Sequence, residues 1–194
     1  MLNRLIMLKM NTQLSQKTSS RAFQTNISLS VLEIILLTLI GAVGVLLHAR
    51  FRIPLHMSGH WGVVYMALLF SGRLYSQKKY ASSLSSIGAA FMLLLPLGFK
   101  DPFMPVMYML PGLLLDVFYY VFRSKNHHFI FVALLSGLAY MTIPLIRMIM
   151  SISTGLFYGS FIGGFLYPVL MHFIFGACGG LIALGVFTLF KKKI

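Results

Sequence analysis

Apolar residues in this chain do not alternate with polar ones. They run in blocks of about twenty, separated by short polar connections. Six blocks cover Leu29–Ala49, Ser58–Tyr75, Tyr80–Phe99, Pro102–Phe122, His128–Met150 and Phe157–Phe190. Each approaches the roughly 20 residues that a helix needs to cross the hydrocarbon core of a bilayer. The pattern therefore predicts an all-α, integral membrane bundle of six transmembrane helices. Barrel strands alternate lipid-facing with lumen-facing residues, so these unbroken runs exclude a membrane β-barrel. The connections SQKK, GFKD, RSKNHH and SISTG leave no room for a second domain. The last block is long enough to tilt, kink or extend beyond the membrane, and Pro168 is its candidate kink. Residues 29–194 read as one transmembrane domain and residues 1–28 as a basic cytoplasmic tail.

Composition agrees with the pattern. The 194 residues are 58% hydrophobic and only 10% charged, whereas a soluble domain carries about a quarter charged residues. The net charge of +13 does not point to nucleic acid, because the basic residues form short clusters between apolar runs and not a patch on a folded face. Twelve of the sixteen Lys and Arg lie with the two termini, in the tail, at Arg73, Lys78 and Lys79, at Arg123 and Lys125, and at Lys191–Lys193. Arg50, Arg52, Lys100 and Arg147 lie on the other side. Cytoplasmic loops carry the excess of Lys and Arg, so both termini are placed in the cytoplasm. The stretch RIPLHMSGHWG (52–62) then faces outward. The tail lacks acidic residues and is rich in Ser, Thr and Gln, features shared with mitochondrial presequences. It has too short an apolar stretch for a signal peptide; a basic cytoplasmic tail is the preferred reading, with a short amphipathic surface helix as one form it can take. Cys178, the one cysteine, lies inside an apolar run and reads as a packed or lipid-buried thiol.

Small residues mark where helices approach closely in lipid. The third block carries Ala81, Ser85 and Ala89 at spacing four, beside Ser82, Ser86 and Ala90. This double seam serves either as ordinary packing inside the bundle or as a smooth face for another membrane protein. Similar small residues occur at Gly41, Ala42 and Gly44, and in the last block at Gly159, Ser160, Gly163, Gly164, Gly176 and Gly180. Ionisable groups within the membrane are costly and are functional candidates by default. Asp116 lies deep in the fourth block and His172 near the middle of the last. Asp116 is expected to bond to a neighbouring helix or to pair with Arg123, and His172 to donate to a carbonyl. Glu33 is expected at the inner interface, and Arg147 near the outer end, where it can snorkel.

On the outer side, Arg50, Arg52, His56, His60, Trp61 and Tyr108 converge as candidate substrate-binding residues, near Lys100 and Asp101. His56 and His60 have the spacing of a helical metal clamp. Pro54 and Gly59 interrupt the helix such a clamp requires, so no metal or cofactor is assigned. Trp61 alone is normal chemistry for a membrane interface. There is no HExxH, no GxSxG and no GxxxxGK[ST], so neither common hydrolase chemistry nor self-powered transport is indicated. Matched halves of the kind found in many secondary transporters are not visible. A non-catalytic membrane scaffold remains open. So does a membrane-embedded enzyme using His172 and Asp116, which requires both groups in one water-accessible cavity.

Three local stretches carry a resemblance: GAVGVLLHARFRIPLHMSGHWG with its IPL turn, YMLPGLLLDVFYYVF with its PG…D spacing, and the Gly-rich HFIFGACGGLIALGVF before a basic terminus. Over residues 29–193 the chain resembles the substrate-binding membrane (S) components of energy-coupling factor (ECF) transporters. Their alanine-spaced coupling seam on the first and third helices is matched here only on the third, since Gly41 and Val45 substitute poorly on the first. The start Met-Leu-Asn lacks the Met-His ligand of the nickel and cobalt members. The resemblance implies a bacterial plasma-membrane protein that is not itself an enzyme. It implies high-affinity capture of a small water-soluble vitamin or vitamin precursor at the outer face. Delivery would follow by reorientation in the lipid on a transmembrane coupling subunit, driven by a pair of cytoplasmic ATPases. On that reading Arg50 and Arg52 hold an anionic group, His56 and His60 supply hydrogen bonds, and Trp61 and Tyr108 stack on a ring.

Overall fold

The computed structural model describes residues 30–51, 57–99, 101–122, 128–162 and 164–191. The tail 1–28 of the sequence reading, together with Arg52, His56, Lys100 and Arg123, lies outside the described residues. Among those described, the chain is helical and contains no strand. The helices are α1 (Ser30–Arg50), α2 (Gly62–Tyr75), α3 (Ala81–Leu93), α4 (Met104–Val121), α5 (Phe129–Tyr140), α6 (Thr142–Thr154) and α7 (Leu166–Lys191). Four apolar stretches are long enough to cross a membrane: α1, α4, the tandem α5–α6 from Phe129 to Thr154, and α7. The helices α2 and α3 are apolar but shorter.

Where blocks and helices differ, backbone chemistry explains the difference. The second block begins at Ser58, but Gly59 sits at φ +81° and holds a turn, so α2 starts at Gly62. The third ends at Leu93 and not at Phe99, because Pro96 disfavours helical backbone at Leu95 and offers no N–H. The fifth divides at Met141. Pro144 cannot bond back to the Tyr140 carbonyl, and its ring crowds that carbonyl, so the chain restarts as α6. Gly155 closes α6 with a left-handed cap at φ +71°. The last block is therefore not one helix from Phe157. A 3-10 turn at Gly159–Phe161 precedes α7, and Pro168 stands in the first turn of α7, where its missing donor breaks no bond. It opens the helix and does not kink it.

Close packing follows the small residues. The helix α7 packs along both α2 and α5, and α3 packs along α4. A Cβ on Gly180 would meet Ser136, one on Gly176 would meet Tyr140, and Ser136 Oγ donates to the Gly176 carbonyl at 2.7 Å. A Cβ on Gly41 would lie 1.6 Å from the Ser85 carbonyl oxygen, and one on Gly112 would lie 2.3 Å from Ser86 Oγ. The seam Ala81, Ser82, Ser85, Ser86 and Ala89 is thus fully buried between α1 and α4, with Ala90 half-buried beside it. Of its two readings the structure displays packing. As a free face for a partner, the seam is already covered.

Outward-facing positions are aliphatic or aromatic: Leu39, Val43 and Leu46 on α1, Phe91 and Leu94 by α3, Ile149 and Ile152 on α6, Leu170, Ile174 and Ile182 on α7. An apolar exterior of this extent matches lipid as the surrounding solvent.

Candidate functional site

Among the described residues, a larger and a smaller cavity sit at opposite ends of the helices. The larger, about 340 Å³, lies where the α1–α2 and α3–α4 connections meet residues of α4, α6 and α7, and its size is that of a small-molecule site. The last turn of α1 delivers His48 to it. Its Nδ1 lies 3.2 Å from the Tyr108 hydroxyl, and its ring centroid lies 4.9 Å from Trp61 and 5.2 Å from Phe99.

The turn before α2 supplies Met57 through Trp61. The Gly59 carbonyl accepts from Gly62 N at 2.8 Å, and His60 Nδ1 donates to the Met57 carbonyl at 2.8 Å. Glycine at 59 answers both a backbone need and a space need. Its φ is left-handed, and a Cβ there would come within 2.7 Å of His172 Nδ1.

From α4 comes Tyr108. Pro111 removes a backbone bond in that region of the helix, and the Tyr65 hydroxyl donates to the Tyr108 carbonyl. The break at Met141 sets Tyr140 at the foot of the cavity, stacked on His172 at 5.0 Å. One turn of α6 further on, Ile143 and Arg147 complete the wall. His172, 3% exposed, donates from Nδ1 to the Pro168 carbonyl at 2.7 Å. That is the carbonyl partner expected of a histidine in an apolar helix.

At the rim, Arg147 Nε lies 4.0 Å from Asp101 Oδ2, and the guanidinium stands 5.8 Å over the Tyr158 ring. Tyr158 donates to Asp101 Oδ1 at 3.5 Å. Partial burial and the adjacent Asp101 carboxylate raise the Tyr158 phenol above its ordinary pKa. Asp101 Oδ1 also accepts from Phe103 N at 3.0 Å, which caps the approach to α4. Replacing Asp101 by Ala is expected to destabilise the fold by about 1 kcal/mol through loss of this cap. The rim pair, 4.0 Å apart and making no hydrogen bond, adds little to that figure. A thermal melt showing a loss beyond about 3 kcal/mol would mean that the rim pair does more than this.

The smaller cavity, about 200 Å³, is lined by Arg73, Lys79, Asp116, Tyr119 and Tyr120. Asp116 accepts from Ser82 N (3.2 Å), Ser83 N (2.7 Å) and Ser83 Oγ (2.6 Å), so it caps the start of α3. Arg73 Nη1 lies 3.6 Å from its Oδ1, donates also to the Lys78 carbonyl, and stacks over Tyr119 at 4.8 Å. Asp116 thus has the neighbouring-helix anchor that was one of its two expected partners. His172 and Asp116 line different cavities, so the shared cavity that an enzyme using both would need is absent among the described residues.

Of the candidate binding residues, His60, Trp61 and Tyr108 line the larger cavity together. Trp61 is only 8% exposed, so it belongs to the interior and not to an interfacial belt. Arg50 is exposed and is not among the lining residues. The charged group that does line the cavity is Arg147, which was expected only to snorkel. His48, Tyr140 and His172 were missed as cavity residues. Although three histidines line one space, no group of three or more metal-ligating side chains forms among the described residues. Compared with protein-family models, curated proteins and solved structures, the chain matches none.

Proposed function

We propose that this chain is the solute-capture subunit of an ECF-type importer, a bundle of six membrane crossings with both termini in the cytoplasm. It takes up a small water-soluble micronutrient at its outer face. One observation carries the reading: a cavity of about 340 Å³ at the end of the bundle that the distribution of Lys and Arg assigns to the outside, walled by Trp61, Tyr108 and Tyr140 and provided with Arg147 and three imidazoles. A scaffold has no use for such a space, whereas capture requires one. Aromatic walls supply area for a flat solute, and a few convergent polar groups fix its orientation. Reorientation on a membrane coupling subunit, driven by two partner ATPases, belongs to the same proposal. The coupling contact then falls outside the α3 seam, whose small residues serve to bring α1 and α4 close.

The test uses the full chain purified from cells grown in rich medium. Denaturation is expected to release one small compound near stoichiometrically, as detected by mass spectrometry. Membranes of the source cell are expected to yield the chain together with a coupling subunit and an ATPase pair. If nothing is released and no ATPase accompanies the chain under mild extraction, the proposal fails.

A further inference from the structure

The hydrogen-bonding character of the larger cavity is set by what its histidines already touch. Nδ1 of His60 lies 2.8 Å from the Met57 carbonyl oxygen, and Nδ1 of His172 lies 2.7 Å from that of Pro168. A carbonyl oxygen only accepts, so in each ring the proton sits on Nδ1. The neutral ring then presents a bare lone pair at Nε2. For His60 that atom is enclosed and has no hydrogen-bond partner among the described residues. The two imidazoles belong to distant parts of the chain but line the same cavity, where Gly59, next to His60 in sequence, abuts the His172 ring. Arg147, on α6, offers only donors, and its Nε is likewise without a hydrogen-bond acceptor among the described residues. No carboxylate is among the groups lining the cavity. The space therefore presents imidazole acceptors, guanidinium donors and aromatic faces to one solute.

Resting on the capture reading above, we propose that the solute is a planar nitrogen heterocycle. It brings N–H donors to Nε2 of His60 and His172, and a carbonyl or carboxylate acceptor to Arg147. An edge in which N–H and C=O alternate satisfies the imidazoles and the guanidinium at once. A purely aliphatic acid, or a ring whose nitrogens are all alkylated, satisfies Arg147 but leaves imidazole lone pairs buried without donors. That is the costly kind of mismatch, because buried polar atoms lose water and gain nothing.

The test measures binding of matched probes to the full chain in lipid nanodiscs, alongside identification of the compound released on denaturation. The probes are uracil-6-carboxylate and xanthine, their fully N-methylated counterparts 1,3-dimethyluracil-6-carboxylate and 1,3,7-trimethylxanthine, and benzoate. At least one N–H probe is expected to bind at least about tenfold more tightly than its methylated counterpart and than benzoate. His60→Phe keeps a ring in place but removes the acceptor, and should reduce that preference to about threefold or less. His172→Phe should act likewise, and each variant's melting temperature shows that it is folded.

Equal binding of methylated and unmethylated probes overturns the proposed class while leaving capture intact. So does a released compound that lacks N–H donors. If no probe binds, a released N–H heterocycle upholds the class. The absence of both binding and release overturns the class and the capture reading together.

Discussion

Asp116→Ala is expected to destabilise the bundle by about 3–5 kcal/mol, the range for removing one member of a buried ion pair. The carboxylate is 7% exposed and serves two structures at once. It closes the first turn of α3, taking both backbone N–H groups of Ser82 and Ser83, and it is the counter-charge of Arg73. Its loss leaves a guanidinium 15% exposed beside an aromatic ring, and takes the acceptor from two N–H groups in the first turn of α3. Asp116→Asn keeps one acceptor and should lose about half as much. Arg73→Met combined with Asp116→Leu removes both charges and should recover much of the loss, since an ion pair replaced as a unit costs far less than one broken. Thermal melts of the purified variants in one detergent would decide this. A drop below about 1 kcal/mol for Asp116→Ala would show that water reaches Arg73 and that the pair is not buried as described.

Gly41→Leu is expected to prevent α1 from docking, with a cost above about 3 kcal/mol, beyond the usual overpacking range. Even the first carbon of a side chain at 41 would sit 1.6 Å from the Ser85 carbonyl oxygen, and that obstacle is backbone. A flexible side chain could turn aside, but a helix backbone can yield only by moving the helix. Separation of α1 from α3 by an ångström or more would also carry His48 away from Tyr108 and Trp61. Stability and solute binding should therefore fall together in this variant, although residue 41 does not line the cavity. Gly44→Ala is the control: its nearest neighbour is the Leu68 side chain at 3.3 Å, which can shift, so the change should stay within about 1 kcal/mol. A Gly41→Leu variant that melts like the parent would refute the close α1–α3 contact.

The apolar blocks placed the helices because lipid leaves few alternatives to a helix for an unbroken apolar run. They misjudged ends wherever Pro or Gly decided the matter locally, as at Pro96, Pro144 and Gly155. His60, Trp61 and Tyr108 were legible because polar and aromatic residues cluster in sequence at one end of the chain's helices. Arg147 and His172 were harder to place. A block ending at Met150 puts Arg147 at the membrane surface, whereas α6 continues to Thr154. Arg147 then lies about 10 Å along the axis from that end, and His172 about 9 Å from the start of α7. Equal depth on consecutive helices is the signal that would have joined them. The partner of Asp116 was out of reach for a different reason. Arg123 is near in sequence, but which helix supplies the charge depends on which pair of helices packs, and no periodicity encodes that choice.

The unequal helices have a consequence for the surrounding lipid. With 13 residues α3 is about 20 Å long, while α7, with 26, reaches about 39 Å. A hydrocarbon layer of about 30 Å fits neither. If both cross it, the bilayer thins beside α3, while beside α7 it thickens or the helix leans. The annulus of lipid is then uneven around the circumference, and the protein partitions toward membranes whose acyl chains relieve that mismatch at least cost.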